Sequence, residues 1–113
     1  MFMTALVLLA VVEADRWIHV GGSGNLYEEY LDKESVRRSG DKVSLWTRRD
    51  YRGARSTSWN EIEFDCAAKK ETIVAWIRDD NGVVSHNVVR PHRAAAPIPP
   101  RSVQEKIFNL VCR

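Results

Sequence analysis

Long apolar segments are missing from this chain of 113 residues. Its longest apolar run, Ala5-Leu6-Val7-Leu8-Leu9-Ala10-Val11-Val12, falls well short of the roughly 20 residues a membrane-spanning helix needs. An excess of one charge is missing too. With 17 basic and 15 acidic residues the net charge is +2, too little for a whole-protein field that would draw in nucleic acid or an anionic membrane, so any binding electrostatics must be local. Histidine and cysteine are scarce: His19, His86 and His92 show no ligand spacing with Cys66 or Cys112, which argues against a zinc site. There is no Ser/His/Asp or Cys/His arrangement and no phosphate loop, because Gly21-Gly22-Ser23-Gly24-Asn25 is followed by no helix-forming sequence and reads as a turn. Glu28 and Glu29 fall on opposite faces of a strand, and Glu61 and Glu63 share an open face where carboxyl pKa values are not strongly raised. An enzyme is therefore not expected, and no cofactor is implied.

What is present describes one exported domain. Apolar residues make up 44% and charged residues 28%, the composition of a chain that folds, and the length suits a single core. The run ending at Val12 is followed by Glu13-Ala14, so residues 1–14 read as a cleavable export signal with cleavage after Ala14 and a mature domain over 15–113. The usual opening Lys or Arg is absent from Met1-Phe2-Met3-Thr4, and a buried first strand or helix is the alternative. After cleavage no stable membrane span remains, and no cysteine follows the run to carry a lipid. Export, periplasmic or secreted, places the chain in an oxidising compartment, where two cysteines are expected to pair. Closing so long a loop stabilises by roughly 4 kcal/mol on the chain-entropy model. Two separate buried thiols are the alternative.

From Asp15 onward, short β-prone runs are separated by turn chemistry, and helical periodicity is absent before residue 100. Strands are predicted over 16–20, 26–31, 42–48, 59–66, 71–78 and 83–90, with a short run over 35–38 before the Ser39-Gly40-Asp41 turn. In 59–66, Ile62, Phe64 and Cys66 alternate inward against Trp59, Glu61, Glu63 and Asp65. In 71–78 the inward set is read as Ile73, Ala75 and Ile77. Asp79-Asp80-Asn81-Gly82 is the strongest hairpin turn. Pro91 ends the last strand, and an extended connector through Pro100 leads to the one good helix. Ser102-Val103-Gln104-Glu105 has the capping-box form, and Val103, Ile107, Leu110 and Val111 make an apolar stripe. Cys112 lies off that stripe: either the last turn unwinds or the helix rests on its side near Phe108.

Several stretches together resemble the surface-adhesin protein E family of small exported bacterial envelope domains. They are Trp17-Ile18-His19-Val20-Gly21, Tyr30-Leu31-Asp32 with Ser35-Val36-Arg37-Arg38, Val43 to Tyr51, Glu63-Phe64-Asp65-Cys66, and Pro99-Pro100-Arg101-Ser102-Val103 running to Val111-Cys112. The resemblance implies an α+β fold: an antiparallel sheet of about six strands, with one C-terminal helix tied to its concave face by the cysteine pair. It also implies a non-catalytic protein that adheres to host or matrix components.

Candidate binding residues come from the strands' outward faces and the loops. Trp46 with Arg48, Trp59 with Glu61 and Glu63, and Trp76 with Arg78 are read as one solvated sheet face, the residue mixture that dominates many protein-binding patches. Such neighbours also stabilise a sheet by roughly 0.2–1 kcal/mol per pair without any partner. Two basic clusters, Arg49/Arg52/Arg55 and Arg90/His92/Arg93/Arg101, could meet an acidic polysaccharide or protein surface, or could simply be solvated loops. The partner is expected to be an extracellular or envelope protein or an acidic polysaccharide, with a second copy of the chain (a homodimer) as a further candidate. Stacking of single-stranded nucleic acid on such a face is set aside because the chain is exported. The competing role is a periplasmic structural or inhibitor-type protein that binds an envelope component.

Overall fold

The computed structural model describes residues 16–88 and 94–113. The predicted export signal and Arg90, Pro91, His92 and Arg93 lie outside them. Strands β1 (Trp17–Ser23), β2 (Tyr27–Ser39), β3 (Lys42–Tyr51), β4 (Ser56–Asp65), β5 (Lys70–Asp80) and β6 (Val83–Val88) form an antiparallel meander in sequence order. A two-residue strand β7 (Ala96–Pro97) also pairs with β5, and the helix α1 (Val103–Val111) follows. This is the expected α+β fold.

One face of the sheet is covered by α1. Val20, Leu31, Val43, Leu45, Ile62 and Phe64 meet Ile107, Phe108 and Val111 there, with the Phe64 and Phe108 rings edge-on at 5.6 Å. Ser102 Oγ accepts from the Glu105 amide, and Glu105 reaches back to the amide of Arg101 rather than that of Ser102. The helix leans toward Phe108 and leaves Leu110 40% exposed. It also ends before Cys112, whose backbone has left helical geometry. Both alternatives for reaching the cysteine are thus realised. Cys66, one residue past β4, and Cys112 form a disulfide with Cα atoms 5.4 Å apart. Gly21 admits the helix: a Cβ there would come within 3.1 Å of Val103 Cγ2.

Three register irregularities shape the sheet. In β1 the pairing shifts around Val20. In β2 the runs predicted separately at 26–31 and 35–38 are one long strand, interrupted between Asp32 and Arg37. There Ser35 Oγ donates to the Asp32 carbonyl and accepts from the Trp46 amide, replacing a missing ladder bond. In β5, Ile73 pairs with Ile62 and Ala75 with Glu61, leaving Val74 as an extra residue. Such a bulge moves everything beyond it to the other face. The inward assignment of Ala75 and Ile77 is corrected accordingly: only Ile73 of that set shares the helix face, and Trp76 takes the place beside it, opposite Asn60.

Candidate binding surface

The face opposite α1, here called the open face, collects aromatic side chains. Trp17 opposes Asp32 across β1 and β2, Asp32 opposes Trp46, and Trp59 opposes Arg48 and Ile77. Beyond them Val84 opposes Asp79 on β6. Trp17, Trp46, Trp59, Ile77 and Val84 therefore follow a diagonal across the strands and floor an open cleft of about 660 Å³. The three tryptophans are half-buried, and Val84 is 61% exposed.

The charged groups around this cleft are engaged within the protein. Arg16 holds the buried Asp32 carboxylate with a fork of 2.9 and 3.0 Å, and sits 3.6 Å from Glu34. Arg37 donates to the carbonyls of Glu34 and Val36. Asp79 accepts from the Gly82 amide, which tightens the β5–β6 turn. Arg48 lies over both Trp17 and Tyr30, at 4.7 and 4.4 Å, with its Nε 3.2 Å from Asp50. A guanidinium held this way supports the aromatic floor.

Trp76 and Arg78 are not on this face. The Val74 bulge turns them to the helix side, where with Arg49, Tyr51, Ser58 and Asn60 they line a separate hollow of about 230 Å³ beyond the end of α1's coverage. The single Trp/Arg patch expected from the sequence is therefore two patches on opposite faces. On the helix side, Arg49 Nε donates to Glu29 Oε1 at 2.9 Å and stacks over Tyr27 at 4.5 Å, and Glu29 is 1% exposed. Burial raises the pKa of Glu29 against the opposing pull of Arg49. Nearby Glu71 is also raised, by burial and then by the like charge of Glu29. Its Oε2 is buried without a hydrogen-bond partner among the described residues, beside a 60 Å³ cavity lined by Thr47, Asn60 and Gln104.

The loop arginines divide similarly. Arg49 belongs to β3, so the basic loop shrinks to 52–55. Arg52 pairs with Glu28, which also holds His19 at 2.6 Å, and these two hydrogen bonds, His19 first, lower the Glu28 pKa. Arg78 pairs with Asp80, whose pKa is lowered by Ser56 and then by Arg78. Arg55 is exposed and lines a polar hollow between the β3–β4 and β5–β6 turns.

Trp17, Ile77 and Val84 complete the open-face cleft and were not among the candidates read from the sequence. Trp17 was recoverable from the β1–β2 hairpin, which brings it beside Asp32. Ile77 and Val84 were hidden by the bulge, since the unbroken alternation placed Ile77 inward. Among the described residues no helix is long and apolar enough to cross a membrane, and no group of three or more His, Cys, Asp or Glu side chains could hold a metal ion.

Compared with known families, residues 17–113 match the model described as surface-adhesin protein E. No curated protein and no solved structure matches the chain.

Proposed function

The chain belongs to the surface-adhesin protein E family, and from that premise we propose that it is a non-catalytic exported module that adheres to an extracellular protein through the open face of its sheet. The observation that carries this reading is the row of Trp17, Trp46 and Trp59, half-exposed on a face that no element of the described fold covers. Large aromatics in such a setting supply most of the binding energy at protein interfaces. The charge distribution disfavours an acidic polysaccharide. Arg48, Arg49, Arg52 and Arg78 each already face a carboxylate, which weakens the case for a polyanion bound at these arginines. The family's surface role agrees with export through residues 1–14.

The test uses oxidised, secreted protein on surfaces coated with extracellular matrix or with envelope material. Retention on matrix that survives about 1 M salt, where charges are screened beyond about 3 Å, is the expected result. Retention confined to envelope material would favour the periplasmic scaffold or inhibitor role, and retention abolished by salt would favour the polyanion.

A further inference from the structure

We infer that the open-face cleft takes a proline-rich peptide in the polyproline II conformation, lying across the strands; this deepens the adhesion reading above and rests on it. The floor is the first reason. Trp17, Trp46 and Trp59 with Ile77 and Val84 make an aromatic and aliphatic track, crossed between Trp17 and Trp46 by Asp32. Proline-rich segments dock in aromatic-lined grooves because their preformed backbone loses little entropy on binding.

Hydrogen bonding is the second. The indole N–H groups of the three tryptophans donate to no acceptor among the described residues. A polyproline spine offers carbonyl acceptors and has no N–H donors of its own. It therefore supplies acceptors to these donors.

Charge is the third. Arg16 is forked on Asp32, Arg37 is bound to main-chain carbonyls and Asp79 to the Gly82 amide. An uncharged spine leaves all of these bonds intact, whereas a polyanion or polycation would compete with them. Length is the fourth. From β1 to β6 the track crosses five inter-strand spacings, about 24 Å at the usual separation. That accommodates about eight residues at a rise of about 3.1 Å.

A labelled synthetic decaproline titrated against the oxidised protein tests the inference. Saturable binding is expected, with Trp46→Ala/Trp59→Ala weakening it roughly tenfold or more and Trp76→Ala changing it by less than about twofold. Should the double variant fail to fold by circular dichroism, Val84→Asp at an exposed position of the track supplies the same readout, with weakening expected. A neutral oligosaccharide such as maltohexaose binding in place of decaproline would overturn the assignment, as would no decaproline binding at all. Matrix retention that needs Trp46 and Trp59 but is not competed by decaproline would overturn this inference and leave the adhesion reading standing. Matrix retention indifferent to both tryptophans would remove that reading and this inference with it.

Discussion

Trp59 and Trp76 stand on adjacent strands yet face opposite sides of the sheet, because Val74 adds one residue to β5 between the Ile62–Ile73 and Glu61–Ala75 pairs. Deleting Val74 restores simple alternation. The pairs Ile62–Ile73 and Glu61–Ala75 become consecutive, so Trp76 and Arg78 stay on the helix side and Ile77 stays on the open face. The variant is expected to fold and to lose about 1.5–3 kcal/mol, the contribution of the buried Val74 side chain alone. Urea denaturation reads it, and a variant that fails to fold, as a strand alternating regularly through Val74 would when every residue beyond it is flipped, would contradict the bulge.

The disulfide gives a second prediction. Cys66 and Cys112 are 46 residues apart in sequence, so the chain-entropy model assigns the bond about 4 kcal/mol. Paired Cys66→Ser and Cys112→Ser substitutions, or reduction of the native protein, should lower the denaturation midpoint accordingly and loosen α1 before the sheet. Hydrogen exchange should show early loss of protection over 103–111. Equal stability with and without reductant would contradict the tether.

Much of this architecture was legible because local signals agreed. In β4 polar and apolar residues alternate without exception from Glu61 to Asp65, which fixes its faces. Asn81 and Gly82 both take left-handed backbone conformations in the β5–β6 turn, as the Asn-Gly signal demands. The stretch Thr72-Ile73-Val74-Ala75-Trp76-Ile77 is different. It is apolar at nearly every position, so either phase satisfies it, and only the pairing with β4 shows where the extra residue sits. Charge neutralisation was equally hidden: Arg49 and Glu29 are 20 residues apart and meet through the β2–β3 register. An arginine list read without that register looks like a basic patch.

The Glu29–Arg49 pair supplies a third prediction. Because Glu29 is 1% exposed, Arg49→Ala leaves a buried carboxylate without its cation and should cost about 3–5 kcal/mol. Replacing both with apolar residues, as in Glu29→Leu/Arg49→Met, should cost much less. A double-mutant cycle by chemical denaturation checks the difference, and similar losses in both variants would contradict the pairing.

Acid should act on Glu71 in the direction opposite to its effect on the surface pairs. The folded-state pKa of Glu71 is raised, so its contribution is fully present below the unfolded value of 4.5 and is lost as pH rises through the folded value. Glu71→Gln removes that loss and should stabilise the protein by about 1 kcal/mol at pH 7, with little change near pH 4. For Glu28 and Asp80, whose pKa values are lowered, stability is present above the unfolded value and falls away as pH drops through the folded value. Thermal unfolding of wild type and Glu71→Gln across this pH range separates the two signs. A Glu71→Gln effect that grows on acidification would contradict the burial of that carboxyl.

Retention on matrix by three proteins, each confirmed folded, decides the central claim most directly: wild type, Trp46→Ala/Trp59→Ala on the open face and Trp76→Ala/Arg78→Ala on the helix side. The open-face variant should lose retention and the helix-side variant should keep it. Loss confined to the helix-side variant would place the binding surface on the wrong face of the sheet and contradict the account.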